Sequence, residues 1–349
     1  MNQKKLSPKK LVFLRSIQTS FGGAEVFLKR LTEQLARENI KFEILHSNAP
    51  RWLASWIKAW WFNWQAKLNK KNNFYFSLDR IDSADIYRAG DGVHKAFLKT
   101  KSFSLNPLHL TYLILEKRCF KNSKWIICNS YKIQKEIEKY YPEISQDKIS
   151  VIPNGINLPE INAEINNQAK QKICQEFSIN SNLPLILFVG SGFKRKGVGE
   201  FLKIISQLKT PVQGLIVGKD KKIKTYQDQA RSLGILEKIS FTGQRKNIND
   251  FYLASDIFLF APEYEPFGNV VLEAMAYGCV ALTNTQCGMC DFMPEKYWIT
   301  ENTPKFIDQL LQDPEKLKQA QSESRAIASQ YSIEKTAEEI LKIIKKIMG

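Results

Sequence analysis

Two glutamates, Glu265 and Glu273, stand seven residues apart in the run Pro-Glu-Tyr-Glu-Pro-Phe-Gly-Asn-Val-Val-Leu-Glu-Ala-Met-Ala-Tyr-Gly that covers 262–278. An apolar strand-like run at 257–260 precedes the first acid, and 270–277 has helical spacing. Glu265 therefore belongs in the turn after a strand and Glu273 about one turn inside the next helix. Both would face the carboxyl end of a strand, where open α/β sheets bind ligands. Carboxylates accept hydrogen bonds from hydroxyls, so one acid can hold a sugar and the other a ribose. The amides of Phe267, Gly268 and Asn269, at a helix N-terminus, suit a phosphate. The plainer alternative makes Glu265 a turn acid and Glu273 a solvated helix residue.

A glycine-rich segment, 190–197, follows one strand and leads into a helix. Its backbone can approach a phosphate around Gly192, while Arg195 and Lys196 bring fixed positive charge. Gly192 and Gly197 have Walker A separation, but Val198 stands where that loop needs lysine and no Ser or Thr follows, which disfavours ATP hydrolysis. Gly22 and Gly23 form a second turn before a helix, a weaker signal because such turns are common for conformational reasons. In the stretch Tyr-Arg-Ala-Gly-Asp-Gly-Val-His at 87–94, Asp91 and His94 lie at a strand end between glycines. They are the candidates for contacting a hydroxyl and a sugar, with Asp91 as a positioning base, against the plainer alternative that a lone aspartate or histidine is structural.

The Glu-x7-Glu spacing with its Pro-Phe-Gly-Asn interior resembles the signature of the family-4 retaining glycosyltransferases. Further segments fall at that family's intervals: Phe-Gly-Gly-Ala-Glu at 21–25, Ile-Pro-Asn-Gly-Ile at 152–156 and Gly-Ser-Gly-Phe-Lys-Arg-Lys-Gly at 190–197. Within the family the chain is most similar to the lipopolysaccharide core glucosyltransferase I type, through that last segment and Val-Gly-Lys-Asp-Lys at 217–221. The resemblance implies a GT-B fold, with two Rossmann-like doubly wound α/β domains facing across a cleft. It also implies a UDP-sugar donor, UDP-glucose in the first place, and transfer to a hydroxyl of a glycan or glycolipid, the lipopolysaccharide inner core above capsule or lipid carriers. By the same resemblance Arg195 and Lys196 hold the diphosphate, Glu265 the sugar and Glu273 the ribose. The backbone from Gly243 to Arg245 would hold the base.

The elements that must position these residues are legible as two successions of strands and helices. Strand-like runs at 11–14, 42–45, 86–87, 125–128 and 150–152 alternate with helical patterns such as 24–37. The second half repeats the plan at 185–189, 214–217, 239–242, 257–260 and 280–283, as expected of a doubly wound parallel sheet. A polar stretch, 157–171, reads as a linker entering a helix. This gives two domains, 1–160 and 161–332, to which the resemblance assigns acceptor binding and nucleotide-sugar binding respectively. The resemblance implies that a helix at 333–349 packs back on the first.

Composition bounds the partners. At 349 residues the chain exceeds one ordinary domain, and its net charge of +16 points to an anionic partner: phosphorylated small molecules, an anionic membrane surface or nucleic acid. No apolar run approaches the roughly 20 residues of a membrane span, so a cytosolic protein is expected. Six scattered cysteines and three histidines suit neither a disulfide framework nor a zinc site, and the one C-x-x-C, Cys287 to Cys290, reads as reduced thiols. The chain contains no Asp-x-Asp, so no metal-bridged diphosphate and no cofactor are expected.

The segment 51–64 is aromatic. Trp52, Trp56, Trp60 and Trp64 recur every fourth residue, as on one face of a helix, with Lys58, Lys67, Lys70 and Lys71 nearby. Such a stripe fits an interfacial helix on an anionic membrane, and equally a core face or an acceptor groove. Lys117, Arg118, Lys121 and Lys124 would add attraction to anionic lipid or form a solvated face. Two rival classes share some of these features: a UDP-sugar epimerase of GT-B fold, and a non-enzymatic basic protein binding nucleic acid or membrane, which lacks a recognisable nucleic-acid motif.

Overall fold

The computed structural model describes residues 9–17, 22–100 and 105–348. The chain divides into two compact units. One holds everything up to Gly155 together with the segment from Ile333 onward, and the other spans Ile156–Ser332.

In the first unit the elements run β1 (Lys10–Leu14), α1 (Gly23–Arg37), β2 (Phe42–Leu45), α2 (Ser55–Asn69), β3 (Asn73–Ser77), β4 (Ile86–Arg88), α3 (His94–Lys99), α4 (Pro107–Asn122), β5 (Trp125–Cys128), α5 (Tyr131–Tyr140) and β6 (Ile149–Val151). The strands form one parallel sheet in the order β2-β1-β3-β4-β5-β6. Strand β3 was not among the predicted strands, because its Phe-Tyr-Phe centre follows a Lys- and Asn-rich tail. It lies beside β1, with Phe74, Tyr75 and Phe76 fully buried. The strand order reverses between β1 and β3, so the loops after these two strands diverge there.

The second unit runs α6 (Ala163–Phe177), β7 (Leu185–Val189), α7 (Phe193–Lys196), α8 (Val198–Gln207), β8 (Gln213–Val217), α9 (Ile223–Ser232), β9 (Ile239–Gly243), α10 (Ile248–Ala254), β10 (Ile257–Phe260), α11 (Asn269–Ala276), β11 (Val280–Thr283), α12 (Thr303–Leu311) and α13 (Pro314–Ser329). Its parallel sheet has the order β11-β10-β7-β8-β9, reversing between β7 and β10. Uninterrupted apolar strands such as Leu-Ile-Leu-Phe-Val in β7 are what a sheet covered by helices on both faces requires. In the stretch read as a linker, Asn162 caps α6 through its side chain, which accepts from the Ile165 amide.

The last helix, α14 (Ile333–Met348), belongs to the first unit. Ala337, Ile340, Leu341 and Ile344 recur on one face and share a core with Leu28, Leu31 and Leu35 of α1. Both sheets are therefore doubly wound, as the sequence predicts. The segment 51–64 is helical only from Ser55, which leaves Trp52 outside α2 and 83% exposed.

Candidate active site

In the second sheet the strand order reverses between β7 and β10, and the predicted residues gather at the carboxyl ends of those two strands. After β7 the chain turns at Gly192, whose φ of +78° is left-handed, and enters the single turn of α7. Gly197, at φ +89°, ends that turn where a Cβ would lie 1.9 Å from the Ala261 carbonyl oxygen, so no side chain fits there. Two further contacts stitch this loop to the one after β8. Asp220 accepts from the Phe193 amide at 2.6 Å, and the Gly192 amide donates to Lys219 O at 3.1 Å.

After β10 the chain passes through Glu265, whose amide donates to Gln286 O and whose carbonyl accepts from the Gly288 amide, each at 3.0 Å. The Cys287 thiol donates to Phe267 O at 3.1 Å and fills the space that a Cβ on Gly268 would take. Burial, then the charge of Glu265, pushes this thiol up to about 12, so it is a protonated strut rather than a nucleophile. Phe267 itself is buried in the core, and α11 opens at Asn269. Lys196 Nζ bonds Glu265 Oε2, and Arg195 Nη1 lies 3.5 Å from the same oxygen. Arg195 O also accepts from the Glu263 amide at 2.9 Å, so the two loops are joined through main chain and side chain together.

Glu273 is half-buried one turn into α11. Its Oε2 accepts from the hydroxyl of Tyr252 at 3.2 Å. Tyr252 is buried and stacks on Tyr277 with ring centroids 5.5 Å apart. Burial, reinforced by the charge of Glu273, raises its phenol well above the ordinary range and keeps it a donor. Spacing alone offered no signal for Tyr252, and although Asp220 lies in the 217–221 segment and Cys287 in the C-x-x-C, neither motif pointed to the contacts they make here. Arg245 follows Gly243, but its guanidinium is engaged by Glu176 at 2.6 Å, by Thr242 O at 2.8 Å and by the face of Phe177. Its backbone alone remains for a base. A groove of about 600 Å3 borders this loop through Pro262 and Glu263, and its charged lining of Glu200, Glu263, Glu301 and Lys203 is net acidic and unsuited to a diphosphate.

In the first unit a different cluster occupies the reversal between β1 and β3. Arg15 binds Glu25 at 2.8 Å and Asp79 at 3.1 Å, and stands 3.7 Å from Asp91. Burial opposes the charge on Arg15, yet Asp79, Asp91 and Glu25 raise it further. Glu25 also meets the site that Gly22 leaves open, since a Cβ there would lie 2.2 Å from Glu25 Oε2; Gly22 takes φ +136° and Gly23 begins α1. Phe21, part of the same motif, lies outside the described residues. Asp91 keeps 45% of its side chain exposed beside Arg15. His94 is buried instead, its Nε2 3.1 Å from Nδ1 of His109 and its ring packed on Phe97 and Tyr112. Burial, Arg80 and His109 bring its pKa down to about 4, so the ring is neutral. The buried Glu116 holds its amide at 2.7 Å and pairs with Arg80.

On α2 the core positions are Phe62 and Ala66, while Trp56 and Trp64 are exposed and Arg118 covers Trp60. Lys70 and Lys124 converge on Asp85, and Lys117 pairs with Glu143, so part of the predicted basic face is neutralised.

The model of group 1 glycosyl transferases matches residues 169–331, and that of glycosyltransferase family 4 matches residues 87–160. The chain belongs to these group 1, family 4 glycosyltransferases. It is 25% identical over 232 residues to the lipopolysaccharide glucosyltransferase WaaG of Escherichia coli (strain K12), covering 62% of this chain and 60% of that one. The match therefore spans less than two thirds of that relative's length. It is 23% identical over 291 residues to the lipopolysaccharide core biosynthesis glycosyltransferase LpsE of Rhizobium meliloti (strain 1021), covering 78% of each. Among solved structures, that of WaaG, a glycosyltransferase involved in lipopolysaccharide biosynthesis, superposes with a TM-score of 0.77 at 18% identity, covering 96% of this chain and 99% of the other. Anabaena HepE in complex with UDP-glucose gives 0.76 at 16% identity, covering 97% and 99%. The fold is GT-B, built of two Rossmann-like parallel-sheet domains.

Proposed function

We propose that the protein transfers a hexose from UDP-glucose to a hydroxyl of a cell-envelope glycan, the lipopolysaccharide inner core, with retention of anomeric configuration and without a metal ion. The observation that carries this reading is the convergence of Arg195, Lys196 and Glu265 at the carboxyl ends of β7 and β10, with Glu273 one turn into the helix that follows, supported by a relative named as a glucosyltransferase and by HepE solved with UDP-glucose. Gly192 lets the backbone approach the diphosphate, and the amides of Phe267, Gly268 and Asn269 add donors at the start of α11. Arg195 and Lys196 neutralise the leaving diphosphate as the anomeric carbon becomes cation-like. Glu265 accepts from sugar hydroxyls, Glu273 from the ribose, and the backbone at Arg245 holds the base. Asp91 orients the acceptor hydroxyl, the neutral His94 supports that face, and the Gly22-Gly23 turn lets the backbone come close to substrate. The protein would work on the cytoplasmic side of the membrane, and the exposed tryptophans of the α2 region would rest on its anionic surface.

Calorimetric titration in EDTA with UDP-glucose, UDP-N-acetylglucosamine, GDP-mannose and UDP tests the donor assignment. Uridine-selective binding that Glu273→Ala loses is the expected result. Asp91→Asn should retain donor binding while losing transfer to an acceptor glycan. Failure of every nucleotide sugar to bind, or strict dependence on added magnesium or manganese, would remove the reading. Conversion of UDP-glucose to another UDP-sugar without an acceptor would favour epimerisation instead.

A further inference from the structure

The two cations at the end of β7 are already engaged by the acid at the end of β10. One oxygen, Glu265 Oε2, accepts from Lys196 Nζ and lies 3.5 Å from Arg195 Nη1. The Glu265 and Lys196 side chains are only 16% and 17% exposed, so solvent screens their attraction less than that of a surface pair. Both loops are held by main-chain bonds that do not involve this carboxylate: Glu263 N to Arg195 O, Glu265 N to Gln286 O and Gly288 N to Glu265 O. The carboxylate can therefore turn away from Lys196 while the backbone stays in place.

A diphosphate arriving at Lys196 and Arg195 meets a carboxylate of like charge on the same partners. We propose that Glu265 is an internal anion that competes with a nucleoside diphosphate for Lys196 and Arg195. An attached sugar removes the competition, because its hydroxyls give the displaced carboxylate hydrogen bonds to accept. The inference rests on the donor assignment above and extends it. Glu265 then discriminates the intact donor from the nucleoside diphosphate left after transfer. Once the sugar has gone, the carboxylate returns to Lys196 and helps to expel the product.

The test compares UDP and UDP-glucose affinities by calorimetry for the parent, Glu265→Gln, Glu265→Ala and Lys196→Ala. Removing the competing charge should tighten UDP about fivefold, equivalent to ~1 kcal/mol, with no gain for UDP-glucose. The preference for donor over product narrows accordingly. Unchanged or weaker UDP binding by both Glu265 variants, with Lys196→Ala weakening UDP, overturns this inference and leaves the donor site standing. If Lys196→Ala also leaves UDP binding unchanged, the donor assignment itself fails. The alanine variant guards against an unforeseen contact of the glutamine amide.

Discussion

At the scale of single residues, the second glutamate of the pair depends on a partner that its spacing does not reveal. Tyr252 donates to Glu273 Oε2 at 3.2 Å from a buried, stacked position, so that carboxylate oxygen is fixed. A hydrogen bond to a charged acceptor contributes on the order of 1.5–3 kcal/mol. Tyr252→Phe keeps the stack and removes only the hydroxyl. It should weaken UDP severalfold, while the affinity for a 2′,3′-dideoxy analogue, which offers Glu273 no hydroxyl, should stay the same. Equal effects on both nucleotides would mean that Tyr252 serves the fold and not the ribose. The first-unit residues show how a motif can misjudge exposure. Asp91 and His94 are three positions apart, yet the first keeps access to solvent beside Arg15 while the second is packed against His109 and Tyr112.

At the scale of elements, the apolar runs of β7 to β11 were readable because a parallel sheet covered on both faces demands continuous apolar strands of a few residues. Strand β3 escaped because its apolar centre is three aromatic residues long, and only pairing with β1 and β4 stabilises it as a strand. Helix α14 shows the reverse case: its 3.6-residue stripe is plain in sequence, but its destination is a tertiary matter. Burial of Ile340, Leu341 and Ile344 is worth roughly 5–9 kcal/mol at 1.5–3 kcal/mol per side chain. That is comparable to the net stability of a whole domain, about 5–15 kcal/mol. A chain ending at Ser332 should therefore lose protection of the first unit in limited proteolysis while 156–332 stays resistant. Equal resistance of the first unit with and without α14 would refute the packing argument.

At the scale of the whole molecule, charge and exposed aromatics meet. The chain carries +16, and Trp52, Trp56, Trp64 and Leu68 are exposed on or beside α2, with Leu105 and Leu110 exposed at the start of α4, the helix that packs against α2. Among the described residues no helix is long and apolar enough to cross a membrane, so contact through this patch would be interfacial. The protein should co-sediment with vesicles containing phosphatidylglycerol, less so at high salt, and a Trp52→Ala, Trp56→Ala, Trp64→Ala combination should lower binding by an order of magnitude. Undiminished binding by that variant would assign the attraction to general charge alone.

What the sequence by itself determined is whatever depends on local pattern: the class of the two sheets, the position of each glycine-rich turn after its strand, and the family through the Glu-x7-Glu spacing. Backbone conformation and strand–helix periodicity are short-range, so a window of a few residues carries them. Tertiary structure decided the partners. Lys196 and Glu265 are 69 positions apart, Arg15 and Asp79 are 64, and Tyr252 and Glu273 are 21. The first two pairs meet because strand order, and the reversal of that order, brings distant loop ends to one edge of a sheet, and the third because α10 and α11 flank the same strand, β10. Local periodicity does not encode that order.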